Sequence, residues 1–162
     1  MSNNNTAVAK RSISLPDLHK DPEAAAKYGQ FLELINNEPR AEWVKKHPFA
    51  NNVKYLPIDR VEHLLRTIYQ RYEVQVVDYK VIANSIAVHV RLRVQEPVTG
   101  EWIEQDGLGA VAIQTDAGAG AFDLNRVKTD AIMKNLPAAE SFAIKDAAEK
   151  LGKIFGADLN RK

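Results

Sequence analysis

Apolar and polar residues alternate without a break over eleven positions in the middle of the chain, from Ser85 to Gln95. The aliphatic members are Ile86, Val88, Val90, Leu92 and Val94. Successive side chains of a β-strand point to opposite faces, so these five share one face while Arg91 and Arg93 share the other. The period of two predicts an antiparallel strand with one buried and one solvent-facing side.

Two further strands are predicted on either side of this one in the sequence. The segment from Val74 to Ile82 is rich in β-branched residues, and only Ala83 and Asn84 separate it from the alternating strand. A turn at Pro97–Gly100 precedes a third strand from Trp102 to Ile113. Connections this short predict a three-stranded antiparallel β-meander.

The apolar positions near the end of the chain follow a helical period instead. One face of a helix from Leu136 to Phe155 would hold Leu136, Ala143, Ile144, Ala147, Ala148, Leu151, Ile154 and Phe155. Several of these side chains are small, which lets the helix lie close against a sheet, and Gly156 is placed to end it. The predicted fold is therefore α+β: a three-stranded antiparallel β-meander packed against a long C-terminal helix, which makes a β-β-β-α core.

Helices are predicted before this core. Asp21–Glu23 is typical of a helix start, and Asn36–Asn37 of its end. A short helix is predicted from Glu38 to Lys46, and another opens at Leu56–Pro57.

This pattern predicts one domain. Residues 1–20 are mostly polar and are expected to be a flexible arm. Residues 21–162 are expected to form the domain, with N-terminal helices in 21–50 and the core in 52–156. A loop rich in glycine and alanine, Thr115–Asn125, is expected to be mobile.

Composition excludes several classes of protein. The 162 residues contain no cysteine, so thiol catalysis, thiolate zinc sites and a disulfide framework are excluded, and a reducing, cytoplasmic location is favoured. No apolar run approaches the roughly 20 residues that span a bilayer, and the polar start lacks a signal-peptide core. No membrane partner is expected.

The net charge of +1 conceals an uneven distribution. Residues 54–95 hold seven basic and four acidic groups, and residues 126–162 hold eight and five. The acidic segment between them, 96–125, holds six carboxylates and no cation. Phosphate binding depends on the local density of Lys and Arg, so a nucleic-acid partner is compatible with this charge.

The acidic residues offer one catalytic alternative. They are Glu101, Glu104, Asp106, Asp116 and Asp123. Strand alternation puts Glu104 and Asp106 on one face, where carboxylates could hold Mg²⁺ for a nuclease, although no Lys or His lies among the five in sequence. The pair Gly107 and Gly109 indicates a bulge or a close backbone approach, and sheet curvature is favoured over ligand contact.

The basic residues form the main candidate site. They are Lys80, Arg91, Arg93, Arg126, Lys128, Lys134, Lys145, Lys150 and Lys153. Single-stranded DNA is bound by cations that follow its phosphates and by aromatic rings that support its bases. Tyr79, Trp102 and Phe142 are candidate rings, although a packing role is favoured for each.

Three segments carry a resemblance to a known family. They are Lys54–Pro57 with the helix after it, Glu104–Ala110, and Ser141–Gly156, which ends in Phe-Gly. In this order they resemble the single-strand annealing protein superfamily, which includes phage recombination annealing proteins and the eukaryotic Rad-type annealing protein. The match covers roughly 52–156.

The resemblance implies a phage or bacterial protein that binds single-stranded DNA in a basic groove and anneals complementary strands without ATP. It implies a homo-oligomeric ring or filament, no catalytic residue and no cofactor or metal, with a host single-stranded DNA-binding protein as a further partner. Lys150 falls where the family has a DNA-contacting cation and Lys153 at another basic position, whereas Glu149 departs from the family pattern. Two alternatives remain: a metal-dependent nuclease acting through Glu104, Asp106 and Asp116, and a protein-interaction module that docks through the first 50 residues.

Overall fold

The computed structural model describes residues 14–48, 51–69 and 71–161. The helices are α1 (Leu15–Leu18), α2 (Pro22–Asn36), α3 (Ile58–Ile68) and α4 (Ala131–Glu149). The strands are β1 (Lys45–Lys46), β2 (Lys54–Tyr55), β3 (Tyr72–Ile82), β4 (Ser85–Gln95) and β5 (Trp102–Ala112). Short 3₁₀ turns lie at Ala41–Trp43, Leu124–Arg126 and Lys153–Phe155. Among these residues, none of the helices has the length and apolar content that a membrane crossing requires.

The main sheet is an antiparallel meander in the order β3-β4-β5, with α4 packed across β5 and β4. The predicted α+β fold class is therefore confirmed. The five aliphatic side chains that alternate along β4 are almost completely buried under α4, and α3 closes the same core with Val61 and Leu65. The face of the sheet that α4 covers is called the helix face below, and the opposite one the outer face.

Two glycines in β5 explain how close α4 lies to the sheet. A Cβ atom on Gly107 would come within 2.0 Å of the carbonyl oxygen of Ala143, and one on Gly109 within 2.2 Å of that of Ala139. The β4–β5 register runs without a shift, so the bulge interpretation of these glycines is wrong. The close backbone approach is that of a helix.

The one register shift in the sheet lies in β3, between Val76 and Asp78. Val77 is the extra residue there, as in a β-bulge. Because α4 packs on β5 and β4, no side chain of β3 from Glu73 to Ile82 is buried.

The boundaries of α4 differ from the prediction. The helix begins at Ala131 and not at Leu136, and Pro137 lies inside it. It ends at Glu149, and the predicted continuation to Phe155 is a turn followed by a 3₁₀ segment, which Gly156 ends with a left-handed φ of 100°. The predicted apolar face is buried at Ala143, Ile144, Ala147, Ala148, Leu151 and Phe155, and partly buried at Leu136 and Ile154.

The N-terminal half is partly as predicted. Asp21 caps α2 by accepting hydrogen bonds from the backbone N–H groups of Glu23 and Ala24, and the helix ends at Asn36 as expected. The helix predicted over Glu38–Lys46 is wrong, because that segment forms a 3₁₀ turn and β1, which pairs antiparallel with β2.

Of the two predicted flexible segments, the N-terminal arm is described only in part and the loop is described throughout. Of the expected arm, residues 1–13 lie outside the described residues, whereas residues 14–20 include α1, where Leu18 is buried. The loop after β5 contains a bridge between Thr115 and Val127 and a hydrogen bond from Arg126 to the carbonyl oxygen of Ala117.

Candidate nucleic-acid interface

The two arginines of β4 lie on the outer face and are engaged by carboxylates of neighbouring strands. Arg91 forms a forked pair with Asp106 of β5, with Nε–Oδ1 at 2.8 Å and Nη2–Oδ2 at 3.3 Å. Arg93 contacts Glu104 of β5 at 2.8 Å and Glu73 of β3 at 2.9 Å. The strand register places these groups directly opposite one another.

The pairing changes the electrostatics of the outer face. The guanidinium of Arg91 holds the pKa of the Asp106 carboxyl below its usual range, and Asp106 in turn raises the pKa of Arg91. A forked Arg–carboxylate pair uses two of the five N–H donors of the guanidinium and sets a full negative charge beside it. Arg91 and Arg93 therefore offer a DNA phosphate little free positive charge in this arrangement.

Other predicted cations are paired in the same way. Lys80 contacts Asp78 at 3.2 Å, Lys150 contacts Asp146 at 3.0 Å and Lys153 contacts Asp158 at 3.1 Å. Lys134 pairs with Asp130. Of the nine predicted cations, only Arg126, Lys128 and Lys145 form no ion pair within the described residues.

Lys145 occupies the most distinctive environment of these three. Its Nζ lies 4.2 Å from the ring centroid of Phe142 and 5.3 Å from that of Tyr55, both within the range of cation–π attraction. Burial lowers the pKa of Lys145 and raises that of Glu149, one helical turn further on. Phe142 itself is 46% exposed.

Tyr55 is held in this position because its neighbour Lys54 in β2 is hydrogen-bonded to Asn160. The side-chain oxygen of Asn160 accepts from the backbone N–H of Lys54 at 2.9 Å, and its amide nitrogen donates to the carbonyl oxygen of Lys54 at 2.7 Å. A groove of about 360 Å³ lies here. Its lining includes Lys54, Tyr55, Phe142, Lys145 and Asn160, and also the carboxylates of Asp146 and Glu149. It is called the β2–α4 groove below.

The hairpin beside the groove adds an unusual pairing of like charges. Lys46 of β1 lies directly opposite Lys54 of β2, and Lys45 lies opposite Tyr55. Like charges directly opposite each other destabilise a sheet. A bound anion would relieve that repulsion.

The predicted cations do not gather on one surface of a single chain. Arg91, Arg93 and Lys80 lie on the outer face, opposite α4. Lys150 reaches the β5 edge, where it donates to the carbonyl oxygen of Asp106, the residue whose carboxylate contacts Arg91.

Arg126, Lys128 and Lys134 lie apart from the groove along α4. They lie before or within the first turn of the helix, whereas Lys145 is in its last two turns. A 19-residue helix is about 28 Å long. The groove therefore contains only Phe142 and Lys145 of the residues predicted to contact DNA, with Lys150 nearby.

Sequence reasoning missed the part of the groove that β1, β2 and Asn160 supply. Strands of two residues have no alternation that could be detected, and Asn160 follows the last predicted element. The Lys45–Lys46 pair and the Lys54–Tyr55 segment were the available signals.

None of the three candidate rings belongs to the buried core. Tyr79 is 61% exposed on the helix face of β3, and Trp102 lies on the outer face with the guanidinium carbon of Arg93 4.9 Å from its centroid. Of the three, Phe142 is the ring beside a cation that has no carboxylate partner among the described residues.

The acidic residues do not converge on a metal site in the described part of the chain. No group of three or more Asp, Glu or His side chains there is arranged to hold an ion. Glu104 and Asp106 are instead engaged by Arg93 and Arg91, and Asp116 lies beyond the end of β5.

No known protein-family model matches the sequence, and no curated protein does either. The resemblance to single-strand annealing proteins therefore rests on the segments Lys54–Pro57, Glu104–Ala110 and Ser141–Gly156. The first and third of these contribute Tyr55, Phe142 and Lys145 to the same groove.

Proposed function

We propose that this protein binds single-stranded DNA in the β2–α4 groove and anneals complementary strands without ATP, as a homo-oligomer. The observation that supports this most is the position of Lys145 between the rings of Tyr55 and Phe142. Cations that follow the phosphates and rings that support the bases are the two components of sequence-independent single-strand binding.

The lysine pair on the hairpin supports the same proposal. Lys46 and Lys54 face each other across β1 and β2, next to the rings. A phosphate between them would remove their repulsion and release condensed counterions from the DNA. The backbone of the strand would then run from the hairpin towards Lys145.

In this proposal the protein positions the bases of one DNA strand for pairing with a complementary strand. Phe142 is exposed enough to stack on one side of a base while the base edge stays accessible for pairing. The free energy of annealing would come from base pairing, so the reaction needs neither a nucleotide nor a metal.

The ion-paired cations have a smaller role in this proposal. For Lys150 and Lys153 to contact a phosphate, each would have to leave Asp146 or Asp158. The same holds for Arg91 and Arg93 on the outer face. We therefore assign the main phosphate contacts to Lys54 and Lys145.

Fluorescence anisotropy with a labelled single-stranded oligonucleotide tests the binding site. Lys145→Ala should weaken binding and reduce the slope of log affinity against log salt by about 1, because one phosphate contact is lost. Lys27→Ala is the matched control, since Lys27 is an exposed lysine of α2 paired with Glu23. Equal salt slopes for wild type and Lys145→Ala would contradict the assignment of the groove.

Annealing is tested separately, by mixing complementary labelled strands with the protein. The rate should exceed the spontaneous rate, and the excess should fall in Lys145→Ala. Binding without acceleration would contradict annealing and leave a single-strand binding protein, and the absence of binding would overturn both parts of the proposal.

A further inference from the structure

Strand β3 presents an apolar surface that the described part of the chain leaves exposed from Val74 to Val81, while Tyr72 at its start is partly buried against the core. Its side chains on the helix face are Tyr72, Val74, Val76, Tyr79 and Val81, since each lies opposite a buried aliphatic residue of β4. Val76 is 46% exposed, Tyr79 61% and Val81 50%. A contiguous apolar surface of this kind marks an interaction site in a soluble chain.

The backbone of the same strand is also open on one side. Across residues 14–48, 51–69 and 71–161, β3 pairs with β4 alone and is the first strand of the main sheet. Eleven residues of unpaired edge are a template for another strand.

The opposite edge of the sheet is closed to such pairing. The backbone N–H of Leu108 in β5 donates to Asp146 at 3.0 Å, and Lys150 donates to the carbonyl oxygen of Asp106. Asp146 of α4 and Lys150, the residue after the helix, thus occupy two β5 backbone groups that an added strand would need. An incoming strand therefore meets open backbone groups at β3 and occupied ones at the centre of β5.

We propose that β3 pairs antiparallel with β3 of a second copy, about a two-fold axis, to give a six-stranded sheet. The two-fold relation follows from the edges, because the edge of the main sheet that the described residues leave open would then meet its own equivalent. The inference goes beyond DNA binding and does not depend on it.

The bulge determines the register of this pairing. In a regular strand, residues an even number of positions apart share a face. The extra residue Val77 shifts this by one, so a residue before it and a residue after it share a face when they are an odd number of positions apart. Glu73 and Lys80, seven positions apart, both lie on the outer face for this reason. We take the two-fold axis to pass between Val76 and Val77 of the two paired β3 strands. Each helix-face residue of one copy then lies opposite a helix-face residue of the other, for example Val74 opposite Tyr79.

The same register is complementary in charge. It sets Glu73 of one copy opposite Lys80 of the other, twice in each pair of subunits. Opposite charges in a cross-strand pair stabilise a sheet, whereas a lysine on an edge strand ordinarily discourages pairing. Lys80 therefore has a carboxylate partner in the two-fold arrangement and is not an obstacle to it.

Sedimentation velocity tests the interface. Val76→Glu should shift the protein to species of lower mass, with the dissociation constant raised at least tenfold. Leu108→Glu is the matched control, because Leu108 is also an exposed aliphatic residue, 69% accessible, but lies on the outer face of β5. A mass for Val76→Glu equal to that of wild type, or a wild type that remains monomeric at all concentrations, would overturn the proposal.

Charge reversal tests the register. Glu73→Lys and Lys80→Glu should each weaken association, and the double variant should restore it. Glu73 also contacts Arg93 within the same chain, so a loss of that contact has to be separated from a loss of the interface. Glu104→Lys is the control, because Glu104 of β5 contacts the same arginine, and this variant should leave the mass unchanged. Failure of the double variant to recover the wild-type mass would contradict this register.

Cross-linking supplies a second readout, because the chain contains no cysteine. A Val74→Cys, Tyr79→Cys double variant should form a covalent dimer on oxidation, since the paired Cα atoms would lie about 5.5 Å apart. Either single variant should not. DNA binding by the same variants is measured independently, so failure of the interface is distinguishable from failure of the β2–α4 groove.

Discussion

Gly109 in β5 lies so close to Ala139 in α4 that a Cβ atom on the glycine would sit 2.2 Å from the alanine carbonyl oxygen. Only a glycine allows the helix backbone to approach the sheet to this distance. The position of α4, and with it that of Phe142 and Lys145, therefore depends on a residue that lines the groove but has no side chain to offer a ligand.

Gly109→Ala should destabilise the fold by about 3 kcal/mol, the upper part of the usual range for an overpacked core, because the neighbouring atoms belong to backbone and cannot rotate away. Urea unfolding measures the change. Gly29→Ala in α2 is the control, since a Cβ atom there meets nothing within 4 Å. That substitution should stabilise by about 0.5–1 kcal/mol, and a loss of stability as large as that of Gly109→Ala would contradict the packing argument.

The Arg91–Asp106 pair should make stability depend on pH in the acid range. Arg91 lowers the pKa of Asp106 in the folded protein. The stabilisation is therefore fully present above the pKa of Asp106 in the unfolded chain, about 3.9, and is lost as pH falls through the lower pKa of Asp106 in the folded protein. NMR titration of the Asp106 carboxyl should give a midpoint below about 3.9. In Arg91→Gln the midpoint should rise towards that value, and an unchanged midpoint would show that the pair does not persist in solution.

Phe142→Ala should reduce affinity for single-stranded DNA roughly tenfold, because stacking of one base on an aromatic ring contributes about 1–3 kcal/mol. The salt slope should stay as in wild type, since no phosphate contact is lost. Phe122→Ala removes an even more exposed ring, 83% accessible, from the loop after β5 and should leave affinity unchanged. Equal losses in the two variants would indicate that Phe142 has no specific role.

Much of the fold was predictable because its strongest signals are periodic. The alternation along β4 identified its buried face residue by residue, and the bounds Ser85–Gln95 are those observed. The start of α4 was not predictable in the same way, because Pro137 is typical of a first helical turn and here lies inside the helix.

The candidate site was less predictable than the fold, because its charges depend on contacts between distant positions. Arg91 has the sequence pattern of an exposed cation, but the strand register places Asp106, fifteen residues later, beside it. Lys145 was one of nine equivalent cations in the sequence. Only the arrangement of Tyr55 and Phe142 around it distinguishes it from the others.

The hydrogen bonds between Asn160 and Lys54 join positions 106 residues apart. During synthesis on a ribosome, Lys54 leaves the exit tunnel long before Asn160 does. Until then β2 lacks these two hydrogen bonds, so the groove can form completely only after Asn160 has left the tunnel. A nascent chain that has not yet reached this length therefore lacks part of the surface to which we assign DNA binding.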